Sequence, residues 1–192
     1  MIKFSVIIPT YKRVALLNRA MTSVINQDYD NYEVFVCSDG YSQDDQCCVL
    51  NMNDSRFTYN FTEKPKNQNY GNVQRNAMIL KCTGDYTIWL DDDNVIEEDY
   101  FSFSHDEIYN RDYGMLIFKI SHNIFKIVPQ KNEINIGNID TLNAMVKTEI
   151  AKKIKWSSSY MADSYFIKDV EKYCLKNNLK IGFFDKIIGR HN

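Results

Sequence analysis

The segment Ile2-Lys3-Phe4-Ser5-Val6-Ile7-Ile8-Pro9 constrains this chain most. It is short, apolar almost throughout, rich in β-branched side chains and ends on the polar Thr10-Tyr11. A strand without polar alternation is covered on both faces, the condition of a strand inside a parallel sheet. The next segments have the form such a sheet requires. Val14, Leu17, Ala20, Met21, Val24 and Ile25 recur at helical spacing, and a short strand over 33–37 then ends on Ser38-Asp39-Gly40. A helix over 44–51, a strand over 56–62, a polar loop over 63–70, a helix over 71–82 and a strand over 86–90 continue the alternation into Asp91-Asp92-Asp93-Asn94. That β-α-β-α order predicts a parallel sheet with right-handed crossovers.

Beyond residue 95 the pattern becomes mixed: a helix over 97–110, a hairpin of strands at 115–120 and 124–128, a strand over 141–147, an amphipathic helix over 163–177 and a last strand over 180–188. No repeat or linker separates the halves, so a single α/β domain is expected over 1–192, with a Rossmann-like, mainly parallel part at 1–94 and a mixed part at 95–192. The apolar runs are far shorter than the roughly 20 residues that cross a bilayer, and no signal-peptide pattern opens the chain. Five cysteines form an odd set without a CxxC pair, which suits reduced thiols and a cytoplasmic location. Residues 1–100 carry 9 Lys+Arg against 15 Asp+Glu, and residues 101–192 carry 14 against 10, so an acidic half precedes a basic one.

In an open α/β sheet a ligand sits beyond the carboxyl ends of the strands, where Thr10-Tyr11, Asp39 and Asp91–Asp93 fall. Neither GxGxxG nor GxxxxGK[ST] is present, so phosphates would need another counter-charge. Asp91 and Asp93, two apart at a strand end, can turn both carboxylates toward one hard cation, Mn²⁺ or Mg²⁺, while Asp92 faces away. The same triplet also fits a solvated turn that caps the following helix.

Several segments together resemble the family 2 glycosyltransferases of the GT-A fold. Phe4-Ser5-Val6-Ile7-Ile8-Pro9-Thr10-Tyr11 is similar to that family's opening strand, and Val36-Cys37-Ser38-Asp39-Gly40-Tyr41-Ser42 to its Asp-Asp-Gly-Ser turn, with Ser38 in place of the first Asp. Gly71-Asn72-Val73-Gln74-Arg75-Asn76 matches its Gly-x-x-x-Arg-Asn helix start, and Gly84-Asp85-Tyr86-Thr87-Ile88-Trp89-Leu90-Asp91-Asp92-Asp93 its DxD strand. The resemblance implies an inverting, metal-dependent transfer of a sugar from a nucleotide diphosphate donor, a UDP-sugar, to an acceptor hydroxyl. It implies that Pro9, Thr10 and Tyr11 line the nucleotide, that Asp39 accepts from uracil N3–H, and that Arg75 orients the base-side carboxylate or the diphosphate. Asp92 is counted with these nucleotide-binding residues, and Asp91 and Asp93 hold the metal.

The second half resembles the family less. An inverting transfer needs a base beside the attacking hydroxyl, and Asp163 in Met161-Ala162-Asp163-Ser164-Tyr165 is the candidate, a residue that equally fits a helix N-cap. His191, past the last expected strand, is a positional candidate for a third metal ligand on a flexible tail, or a solvated end. Trp156 and Tyr160 suit stacking on a sugar ring or core packing. The acceptor expected is a soluble saccharide or a protein, with hydroxymethylated DNA as a third option suggested by the basic half. A non-catalytic nucleotide-sugar-binding module is the alternative from another class. A nucleotidyltransferase is disfavoured, because no glycine follows the first strand.

Overall fold

A computed structural model describes residues 1–63, 70–109, 111–124 and 126–191 of the chain. The polar loop expected over 63–70 therefore lies, at 64–69, outside the described residues. The first part runs β1 (Phe4–Thr10), α1 (Val14–Ile25), β2 (Tyr32–Asp39), α2 (Gln43–Asn51), β3 (Phe57–Thr62), α3 (Asn72–Ile79) and β4 (Tyr86–Trp89). All seven residues of β1 are buried, because β2 and β4 pair with it in parallel on either side and helices cover both faces. Its side chains divide by parity: Phe4, Val6 and Ile8 enter one core with Leu17, Met21 and Val24 of α1, while Ile7 enters the opposite core with Trp89 and Met78.

The second part adds β5 (Val95–Ile96), α4 (Tyr100–Tyr109), β6 (Tyr113–His122), β7 (Lys126–Val128), a 3₁₀ turn over Thr141–Asn143, β8 (Ala144–Lys147), α5 (Thr148–Ala151), α6 (Ala162–Lys176) and β9 (Lys180–His191). These strands extend the same sheet, in the order β3-β2-β1-β4-β8-β6-β9-β5 with β7 beside β6. The parallel pairing expected of the first part holds through its four strands and returns between β6 and β9. β8 runs antiparallel to both β4 and β6, so the whole sheet is mixed.

Two differences from the expected elements matter for the site. Residues 95–96, which show no period, form a strand because β9 provides a partner, pairing Val95 with Arg190 and Ile96 with Gly189. Gly189 permits this approach, since a Cβ there would lie 2.5 Å from the Val95 carbonyl oxygen. The last strand accordingly does not stop at 188 but continues to His191, which pairs with His122 of β6. His191 is thus held in the sheet and not on a flexible tail. Among the described residues no helix is long and apolar enough to cross a membrane.

Candidate active site

Parallel pairing sets the carboxyl ends of β1, β2, β3 and β4 on one edge of the sheet. Pro9 and Thr10 are buried there and Tyr11 is exposed. Asp39 closes β2 with a buried Oδ1 that has no hydrogen-bond partner among the described residues. Beside it Ser38 donates to the buried Asp45 (2.9 Å), so the serine at the family's Asp position anchors α2. Gly71 brings α3 against β1 in a left-handed conformation (φ 78°), and a Cβ there would lie 3.0 Å from Pro9 Cβ.

The three aspartates after β4 are divided between two arginines, Arg75 holding Asp91 and Arg13 holding both Asp92 and Asp93. Asp91 is held by Arg75, whose Nη1 also donates to the Tyr70 carbonyl (2.7 Å) and Asn72 Oδ1 (2.9 Å), with the guanidinium 4.9 Å above the Trp156 ring. Asp92 is fully buried, accepting from Thr10 Oγ1 (2.7 Å) and Arg13 Nε (3.2 Å). Burial pushes its carboxyl up to about 6 against those two partners. As it stands, the Asp92 expected at the nucleotide braces Thr10 from behind and has no exposed surface of its own. Asp93 pairs with Arg13 (3.0 Å), and its carbonyl accepts from Arg19 (2.6 Å). Among the described residues, no three His, Cys, Asp or Glu side chains are grouped as a ready-made metal cage. Arg13 and Arg19 were not anticipated, although Arg13 follows β1 and Arg19 lies in α1.

A cavity of about 600 Å³ opens where the two parts of the sheet meet, and Arg75, Asp91, Asp140, Asp163 and His191 line it. Asp163 is the second residue of α6. The cap position belongs to Met161, which makes no side-chain cap bond, so Asp163 is not the helix N-cap. Its Oδ1 accepts from the Ser164 amide (2.7 Å), yet burial, with Asp140 and Asp91 nearby, drives its carboxyl up to about 6. Burial also acts on Asp140, but there hydrogen bonds from His191 Nδ1 (3.0 Å) and the Leu142 amide (3.0 Å) prevail and hold it below the usual carboxylate range. That bond in turn raises the His191 imidazole against the cost of burial. The sequence alone does not single out Asp140. Asp140 and Asn143 carry the signature of a capped turn, but the histidine that makes Asp140 part of the cavity lies 51 positions away.

The cavity thus brings together Arg75, Asp91, Asp163 and His191. Pro9, Thr10, Tyr11 and Asp39 lie along the adjoining strand ends and outside its lining. Trp156 is a core residue stacked on Phe166 (4.2 Å between centroids, 10° between planes), whereas Tyr160 is 76% exposed at the mouth.

The sequence model of the family described as Glycosyl transferase family 2 matches residues 5–172. A GalNAc(5)-diNAcBac-PP-undecaprenol beta-1,3-glucosyltransferase of Campylobacter jejuni is 35% identical over 96 residues, 49% of this chain and 30% of that protein. The structure of S. aureus TarS 1-349 in complex with UDP superimposes with a TM-score of 0.80 at 20% identity, over 98% of this chain and 60% of that one. Mannosyltransferase PcManGT from Pyrobaculum calidifontis, in complex with GDP-Man and Mn²⁺, gives 0.74 at 12% identity, over 99% of this chain and 56% of that one. The chain spans about a third of the curated relative and under two thirds of these structures.

Proposed function

Because the chain belongs to glycosyl transferase family 2 and carries the GT-A fold, we propose that it transfers a sugar from a uridine diphosphate carrier to an acceptor hydroxyl with inversion. The observation that carries this reading is the cavity at the carboxyl edge of the parallel strands, where Asp163, with its carboxyl near 6, shares one space with Asp91 and Arg75. A base with that affinity for protons is deprotonated at neutral pH yet basic enough to draw a proton from an attacking hydroxyl. Residues 1–94 serve the donor and 95–192 the acceptor. Asp39 Oδ1, buried and without a partner among the described residues, suits the N3–H of uracil, a donor that cytosine lacks. Pro9, Thr10 and Tyr11 border the same strand ends and would flank the nucleotide, with Arg75 orienting Asp91 beside it.

The donor atoms of Asp91, Asp93 and His191, two carboxylates and an imidazole that senses both of them, fit Mn²⁺ or Mg²⁺ in kind. When bound, such an ion supplies charge to a diphosphate leaving group. The carboxylates then have two competing claims on them, because Arg13 and Arg75 hold Asp93 and Asp91 in the arrangement described. A saccharide is the acceptor we favour over a protein or hydroxymethylated DNA. A cytoplasmic location belongs to the same proposal, in keeping with five free cysteines.

The test is a panel of UDP-sugars with Mn²⁺ and UDP release as the signal. One member should turn over, and Asp93→Ala should lose the metal-stimulated part while retaining the fold. If neither UDP binding nor release is detected with any member, the reading fails.

A further inference from the structure

The mouth of the cavity is framed by two tyrosines, Tyr70 before α3 and Tyr160 before α6, with ring centroids 5.3 Å apart and planes at 75°. Both are exposed, Tyr70 by 43% and Tyr160 by 76%, so burying their rings does not account for their placement. Tyr70 is moreover held in the left-handed region (φ 54°), a conformation costly for a bulky side chain. Its carbonyl is gripped by the Arg75 that also holds Asp91. The opposite wall is tied in by Asn72 Nδ2, which donates to the Ser159 carbonyl (3.4 Å). Tyr160, Met161, Ala162 and Asp163 all line the cavity, so a group resting on Tyr160 shares one space with the carboxylate three residues on.

We propose that Tyr160 and Tyr70 form an acceptor subsite that takes the C–H face of a pyranose ring. Aromatic rings receive such a face by stacking, while the phenol hydroxyls meet the hydroxyl edge of the sugar. A nucleobase is a poorer occupant, because the Asp39 that suits uracil lies outside this cavity. The inference rests on the transferase reading above and specifies its acceptor as a saccharide.

The probes are the methyl glycosides of glucose, galactose, N-acetylglucosamine and N-acetylgalactosamine, added to the intact protein with UDP and followed by saturation-transfer NMR. At least one should bind with its ring C–H protons saturated. Tyr160→Ala should weaken that binding about tenfold and Tyr160→Phe less than threefold, with the UDP affinity of both unchanged. Tyr70→Gly relieves the left-handed strain, so it should weaken glycoside binding while its melting temperature stays at or above that of the parent. Equal glycoside affinity in Tyr160→Ala and the parent overturns the subsite. So does a parent protein that binds UDP but none of the four glycosides. Loss of UDP binding in the parent instead overturns the transferase reading, so the two failures are distinguishable.

Discussion

Asp140 and Asp163 are two carboxylates in one cavity whose surroundings drive them apart. His191 and the Leu142 amide keep Asp140 ionised against its burial, whereas at Asp163 the Ser164 amide and the Arg75 charge are outweighed by burial and two acidic neighbours. Of these two carboxyls only the one near 6 changes charge close to neutral pH, which suits Asp163 to the base role proposed for it. A carboxyl raised to about 6 is protonated below that pH and loses its function as a base there. Turnover should therefore climb with pH and level off above roughly 6. Asp163→Asn should reduce kcat by about 10²–10⁴-fold with UDP affinity intact. A flat rate profile from pH 5 to 8, or an active Asn variant, would remove Asp163 from the mechanism. The chemistry of this residue was legible as an acid opening a helix, but its altered proton affinity was not, because burial and Asp140 come from other segments.

At the level of elements, the end of the sheet opposite the cavity is closed by Glu33 of β2. Its carboxylate accepts from Lys3 (2.8 Å), Ser5 Oγ (2.6 Å) and the Thr83 amide (2.6 Å), joining β2 to the chain entering β1 and β4. Burial alone would raise its carboxyl, but these bonds outweigh burial and bring it down to about 2. A depressed carboxyl stabilises the fold above its unfolded value near 4.5 and loses that contribution as pH falls toward 2. Glu33→Gln should cost about 1–3 kcal/mol in urea unfolding at pH 7 and flatten the acid limb of stability between those values. An unchanged midpoint and slope would show the network to be inert. The long elements were readable from period: β1 from its unbroken apolar run, α1 and α6 from apolar residues three and four apart. β5 and α5, two and four residues long, are shorter than any period can register and exist because β9 and the end of β8 hold them.

For the molecule as a whole, one sheet joins the parallel strands of the first part to the strands of the second through β8, so a ligand at the edge of β1 and β2 is coupled to the entire fold. UDP with Mn²⁺ at about 100 times its dissociation constant should add ~2.7 kcal/mol of stability, roughly 5–10 °C in melting temperature for a chain of this size. A thermal scan with no shift at millimolar UDP would count against a preformed nucleotide site.

The parallel half of the sheet, the family and the acidic motif after β4 were all present in the linear order, because each depends on neighbours within a strand, a turn or a helix. Folding alone decided that His191 runs in a strand against His122 and meets Asp140, that Arg13 and Arg75 divide the aspartate triplet between them, and that Tyr70 and Tyr160 meet edge to face. Those pairings span tens of residues, and burial, which sets their charges, is a property of the packed sheet and of no single segment.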